Sequence, residues 1–215
     1  MIAIILILSY LAGSIPTSII VGKILKGRNF DIRQHGSGNA GGTNVFRVLG
    51  WKPGLFVMSF DVFKGFVAAF WIAKIWDISL FENDPFAVSV FAGLAAILGH
   101  TYTVFAKFKG GKGVGTAGGM LIAIFPIGFS ICLGVFFVVL TLSGYVSLSS
   151  IAASVAFPIV LKLLPPAGTE DSVIIWIIAV LIPFFIVFTH RSNVVRLFRG
   201  EENRFEKVMI FKPRG

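Results

Sequence analysis

Between residues 36 and 44 the chain reads Gly36-Ser37-Gly38-Asn39-Ala40-Gly41-Gly42-Thr43-Asn44, and Arg47 stands about one helical turn beyond Thr43. Glycines let successive backbone N–H groups turn toward one concave side, a nest that favours an anion. Thr43 is read as the N-cap of a short helix ending in Arg47, which adds a helix N-terminus to the same place. Arg47 can fork onto the oxygens of a phosphate. A second stretch, Phe108-Lys109-Gly110-Gly111-Lys112-Gly113-Val114-Gly115-Thr116, interleaves two lysines with glycines directly before an apolar run. It is not a Walker A loop: Gly113 follows Lys112, and the G-x-x-x-x-G-K-[ST] spacing is absent. Phosphate is favoured there, and ATP is not.

The third stretch is His190-Arg191-Ser192-Asn193, followed by Arg196, Arg199, Glu202 and Arg204. His190 and Asn193 lie one turn apart and can face one side. Each stretch also has a plainer reading. The first loop can be a flexible linker, the lysines can serve membrane topology alone, and basic residues leaving a last helix commonly anchor lipid headgroups.

Two further sets of residues stand out. Asp61 and Lys64 sit inside an apolar run at i, i+3, either as functional groups or as a structural ion pair beneath the site. His100 closes the next run, where it either reaches the site or packs as a hydrogen-bonded histidine. The single cysteine, Cys132, lies in an apolar run and reads as core filler, so neither a disulfide framework nor a cysteine metal site is expected.

The elements that must position these residues are membrane helices. The chain has 215 residues, 56% of them hydrophobic and 13% charged, and its mean hydropathy is +0.89. That composition makes the bilayer the solvent of a single domain over 1–215. The first apolar run lacks the basic leader of a signal peptide and is expected to be retained.

The net charge of +9 is unevenly spread. Lys23, Lys26, Arg28, Arg33, Arg47 and Lys52 form one cluster, and Lys107, Lys109 and Lys112 a second. Arg191, Arg196, Arg199, Arg204, Lys207, Lys212 and Arg214 form a third. The positive-inside rule puts all three on the cytoplasmic face. The acidic gaps, Asp77, Glu82 and Asp84 and then Glu170 and Asp171, fall outside.

Apolar runs near 2–25, 53–76 and 85–106 each approach the roughly 20 residues that a crossing requires. Residues 116–164 are too long for one crossing and are broken by Pro126, Gly128, Ser143 and Gly144; residues 172–190 return. The expected fold is all-α, a polytopic helix bundle of seven transmembrane helices with five as the alternative. Its N-terminus is outside and its C-terminus cytoplasmic. Parity brings the three polar stretches to one face.

Ser37-Gly-Asn-Ala-Gly-Gly-Thr-Asn-Val-Phe-Arg47, Gly99-His-Thr-Tyr-Thr-Val-Phe-Ala-Lys-Phe-Lys-Gly-Gly-Lys-Gly-Val-Gly-Thr116 and His190-Arg-Ser-Asn-Val-Val-Arg-Leu-Phe-Arg-Gly-Glu-Glu202, in that order, resemble the three motifs of the bacterial acyl-phosphate-dependent glycerol-3-phosphate acyltransferases. Asp61-Val-Phe-Lys64 is similar to a recurrent element of the same family, and the hydrophobic spacing matches over essentially the whole chain. Thr103 stands where the family usually has proline, and Gly115 where it usually has alanine.

The resemblance implies transfer of a fatty acyl group from acyl phosphate to the sn-1 hydroxyl of glycerol 3-phosphate, in a bacterial inner membrane, with the site facing the cytoplasm. It implies Ser37, Arg47, Lys112, His190 and Asn193 as the catalytic set. The binding set is Gly36, Gly38, Asn39, Gly41, Gly42, Thr43, Asn44, Lys109, Gly110, Gly111, His100 and Glu202, with the glycine backbones of 41, 42, 110 and 111 cradling the acyl phosphate.

Glu202 is expected to order the basic tail rather than act as the base. No cofactor, metal, nucleic acid or obligatory protein partner is expected; substrates and membrane lipids are. Two phosphate dianions ~5 Å apart repel by roughly 13 kcal/mol at an effective dielectric near 20, so several cations in one place are needed. No histidine begins an H-x-x-x-x-D pair. The rival reading, a membrane transporter of a phosphorylated solute, needs polar groups along a route through the bilayer, and the apolar runs offer few.

Overall fold

The computed structural model describes residues 2–75, 85–166, 168–169 and 172–210. Every regular element among them is helical: α1 (Ile2–Ser14), α2 (Thr17–Lys26), α3 (Gly42–Leu49), α4 (Trp51–Phe70), α5 (Pro85–Thr101), α6 (Val114–Ile124), α7 (Pro126–Ser143), α8 (Val146–Leu163), α9 (Val173–Thr189) and α10 (Arg191–Phe198). The acidic residues Asp77, Glu82, Asp84, Glu170 and Asp171, and the basic Lys212 and Arg214, lie outside the described residues.

Among the described residues five stretches are long and apolar enough to cross a membrane: Ile2–Lys26, Trp51–Lys74, Phe86–Ala106, Pro126–Ser143 and Val146–Leu163. Val173–Thr189 and Arg191–Phe198, bent by 62° at their junction, make a sixth when counted as one broken span. Where three crossings were expected within 116–164, α7 and α8 are long and apolar enough to cross and α6 is a shorter apolar helix. At 11 residues, α6 spans about 16 Å against a hydrocarbon core of about 30 Å. Gly128, expected as a break, instead lies inside α7, where a Cβ would overlap the Phe125 ring. The chain forms two compact units, Met1–Ile124 and Phe125–Gly215.

In the first unit α4 is central, with α1, α3, α5 and α6 packed on it. Lipid offers no hydrophobic drive between helices, so close backbone approach must supply the attraction. A Cβ at Gly13 would overlap the Ala96 carbonyl, and one at Gly99 the Tyr10 carbonyl, which locks α1 onto α5. Gly65 and Gly119 do the same for α4 and α6, against the carbonyls of Thr116 and Val62.

The first crossing is broken at Pro16, which has no N–H to donate and ends α1. Carbonyls freed there would be costly in lipid. The Ser14 carbonyl accepts instead from Thr103 Oγ1, and the Ile15 carbonyl from Lys64 Nζ at 3.2 Å. Thr103, where the resembling family has proline, is buried and closes this break.

In the second unit α7 and α8 form a hairpin around Gly144, whose φ of +74° suits glycine. α9 packs on α8, and α10 touches both. The tail returns to the hairpin turn: Phe205 N donates to the Gly144 carbonyl at 2.8 Å and Ile210 N to the Thr141 carbonyl at 3.0 Å.

Candidate functional site

The first loop is built around Asn44, which is 1% exposed. Its Nδ2 donates to the carbonyls of Ile32 (3.1 Å) and His35 (2.9 Å), while its Oδ1 accepts from the Ser37 amide (2.8 Å). Both ends of the amide serve the loop, so Asn44 braces it. Gly36 has φ +60°, and a Cβ there would overlap Asn44 Oδ1, so only glycine fits. Gly38 (φ +73°) is exposed, and Ser37 and Asn39 are half-buried.

The helix starts two residues earlier than expected. Gly41 is the N-cap of α3, and Thr43 lies within the first turn without capping. Glycine in extended geometry at 41 leaves no side chain to compete with the backbone, and Gly42 packs tightly on Met58 of α4. Val45 joins Ile19, Ile32 and Val57 in a small core that fixes α3. Arg47 rides on α3, half-buried. Ser18 Oγ on α2 donates to the Ala40 carbonyl at 2.9 Å and holds the loop from below.

The second loop folds back on the end of α5. Gly110 N donates to the Thr101 carbonyl (3.0 Å) and Gly111 N to the His100 carbonyl (3.1 Å). The expected cradle from these two amides is therefore replaced by an inward turn, and glycine is required there for another reason. A Cβ at Gly110 would overlap the His100 carbonyl, and one at Gly111 the His100 Nε2. Lys109 is exposed and Lys112 half-buried, just before α6. Upstream, Lys107 and Phe108 both have φ +57°. Two successive non-glycine residues in that region cost about 1–2 kcal/mol each and persist only when neighbours fix them.

Arg33 fixes them. Its Nη1 donates to the carbonyls of Ala106 (3.0 Å) and Lys109 (3.1 Å), on either side of the strained pair. Its Nε and Nη2 fork onto Asp31, the latter at 2.6 Å. The Arg33 fork holds the Asp31 carboxyl below its ordinary range despite partial burial. Sequence reading placed Arg33 only in a charge cluster; the Asp31-x-Arg33 doublet was the signal.

Beneath the loops lies a buried polar group. Lys64 Nζ pairs with Asp61 Oδ1 at 2.9 Å, and His100 Nδ1 stands 3.5 Å from the same oxygen. All three are over nine-tenths buried. Asp61 thus ties α4 to α5, and His100 underlies Gly111. A Cβ at Gly115 would come within 3.2 Å of Asp61 Cβ, a tight contact that glycine avoids.

In the second unit, His190 is the joint between α9 and α10 and is 3% exposed. Its Nδ1 donates to the Ile186 carbonyl at 2.8 Å. Asn193, also buried, donates from Nδ2 to Glu202 Oε1 at 2.7 Å. Ser147 Oγ donates to that oxygen at 3.0 Å, and Arg196 Nε to Oε2 at 2.7 Å. Burial raises the Glu202 carboxyl, but the bonds from Asn193, Arg196 and Ser147 outweigh it and hold the group below its ordinary value. Ser147 went unnoticed in the sequence, as one of several serines at the start of an apolar run.

A sequence model of the family Glycerol-3-phosphate acyltransferase matches residues 3–200. The chain is 46% identical to a glycerol-3-phosphate acyltransferase of Chlorobaculum tepidum and 47% identical to one of Chlorobaculum parvum, each over 93% of this chain and 94% of the relative. It also resembles the crystal structure of PlsY (YgiH), an integral membrane glycerol 3-phosphate acyltransferase, in its glycerol 3-phosphate form. The TM-score is 0.81 at 37% identity, over 95% of each chain. The lysophosphatidic acid form of that protein gives a TM-score of 0.78 at 38% identity over the same shares.

Proposed function

The chain belongs to the glycerol-3-phosphate acyltransferase family, and from that premise we propose how its residues divide the work of acyl transfer to glycerol 3-phosphate. It is an integral membrane acyltransferase of phospholipid synthesis. The donor is acyl phosphate and the acceptor atom is the sn-1 hydroxyl oxygen. That oxygen attacks the acyl carbonyl carbon, the bond from that carbon to the phosphate oxygen breaks, and lysophosphatidic acid and phosphate leave. The leaving group is good, so no covalent enzyme intermediate is required. Positioning and charge neutralisation supply the rate.

The observation that carries the donor reading is the pairing of two glycine-rich loops in one unit, each with a cation, bridged by Arg33. Two anion-accepting loops suit two phosphate-bearing substrates. Arg47 and Lys112 neutralise the phosphates, and Ser37 and the Gly41–Gly42 backbone at the start of α3 bind them. Gly36, Gly38, Asn39, Thr43 and Lys109 complete the lining. Asn44 holds the first loop in shape, while Gly110, Gly111 and His100 set the height at which Lys112 stands.

The catalytic residues of the second unit are Asn193, its nitrogen held by Glu202, and His190. The acceptor hydroxyl's proton passes to His190 or to a substrate phosphate. Residues 1–215 are read as a single domain. The helices make seven crossings of a bacterial inner membrane, with the N-terminus outside, and the C-terminus and the site cytoplasmic.

The test uses purified protein in detergent with palmitoyl phosphate and labelled glycerol 3-phosphate. A lipid-soluble labelled product, formed without ATP or added metal, is expected. No product with acyl phosphate, but product with another activated acyl donor, would overturn the donor assignment.

A further inference from the structure

On the reading that Lys112 holds a substrate phosphate, we infer that the Asp31–Arg33 pair is a positioning device for the second loop. It keeps the left-handed Lys107–Phe108 turn in the one conformation that delivers Lys112 to its ligand. Three observations meet here. Lys107 and Phe108 occupy a backbone region that side chains disfavour, five residues before Lys112 in the first case and four in the second. The carbonyls on either side of them, Ala106 and Lys109, are both taken by one nitrogen of Arg33. The other edge of that guanidinium is locked onto Asp31, which also accepts Arg33's own backbone N–H at 3.0 Å.

A planar fork with fixed donor directions is needed for this; an ammonium has one centre and cannot span a carboxylate and two carbonyls. Local bonds also cross the turn, Phe108 N to the Thr103 carbonyl (2.9 Å) and Lys109 N to the Ala106 carbonyl (3.2 Å). Arg33 reaches the turn from a distant segment, and Ala106 beside it packs with Ile19, Ile32, Val45 and Val57. Its own turn, Ile32–Gln34, is held by Asn44 through the Ile32 carbonyl. One hydrogen-bonded chain thus runs from the start of α3 to the loop bearing Lys112. Arg33 acts through the backbone and touches neither substrate.

Arg33→Lys keeps the charge and removes the fork. Assayed in detergent, it is expected to lose roughly tenfold in kcat/KM, mainly as a raised KM for glycerol 3-phosphate, with little change in unfolding temperature. Adding Phe108→Gly to Arg33→Lys should recover roughly a third or more of that loss, because glycine takes a φ near +57° without strain. The Phe108 ring is 60% exposed, so its removal sacrifices little packing.

A wild-type KM in Arg33→Lys overturns the inference. So does a loss that Phe108→Gly leaves untouched, which would mark Arg33 as a direct ligand or as a general support of the fold. Lys112→Ala, measured in parallel, separates the two levels. If it keeps its KM, the phosphate reading itself falls. If it loses binding while Arg33→Lys does not, this inference falls alone.

Discussion

Asn193 and Glu202, nine residues apart, meet at 2.7 Å across a chain reversal in which Gly200 has φ +71°. The same carboxylate gathers Ser147 from α8 and Arg196 from α10, so one acid orders the start of α10, the hairpin and the basic tail together. Glu202→Gln preserves the shape but turns an NH2 group toward one of three donors. It should cost about 1–3 kcal/mol of stability and lower activity through Asn193, read by thermal unfolding in detergent and by turnover.

The same carboxylate, together with Asp31, sets a pH dependence. Glu202 and Asp31 both titrate below their ordinary values in the folded protein. Their contribution is fully present above the unfolded carboxylate value of about 4.3, and is lost as pH falls through the lower folded values. Unfolding temperature should therefore hold from neutral pH down to about 5 and decline only in stronger acid. Glu202→Gln should make that decline shallower.

Arg47→Ala and Lys112→Ala should each reduce turnover by roughly a hundredfold or more while leaving the protein folded, as judged by gel filtration and helical content. Near-normal turnover in both would remove the proposed site.

Gly119→Ala forces a Cβ into the Val62 carbonyl, so it should block folding or cost several kcal/mol, by analogy with overpacked interiors. Gly115→Ala meets only Asp61 Cβ at 3.2 Å and should cost less than about 1–2 kcal/mol. Expression yield and unfolding temperature report both. Equal effects would mean that α4 and α6 cross less closely than described.

Thr103→Val removes the donor to the Ser14 carbonyl and should destabilise by about 1–2 kcal/mol. Thr103→Pro loses the same bond, but the backbone there, φ −64° and ψ 123°, already suits proline. Its lower unfolded-state entropy should offset about 0.4–1 kcal/mol of the loss. Denaturation of the two variants side by side is the measurement.

Much of this was legible in the sequence because it depended on composition and spacing. The helices followed from apolar runs, and the two loops from glycines beside lysines. Asp61 and Lys64 were conspicuous because charge is rare in a crossing. What was hidden depended on partners. Arg33 is one cation among six near the first loop, and nothing in the order of residues points to the carbonyls of Ala106 and Lys109. Ser147 resembles Ser149 and Ser150, which spend their hydroxyls on carbonyls one turn back. Thr43 has the chemistry of a cap, but Gly41 took that position. The amides of Gly110 and Gly111 turned inward because His100 lies directly under them, a proximity that only the packing of α5 reveals.

The break at Pro16 also bears on how the chain enters its membrane. Ser14 and Thr103 lie 89 residues apart, and Ile15 and Lys64 lie 49 apart. During synthesis the first crossing is inserted long before either partner exists, so the Ser14 carbonyl waits for its donor and the Ile15 carbonyl has only Thr17 beside it. It can settle only after the third crossing follows, which makes the opening segment of the protein among the last to find its final form.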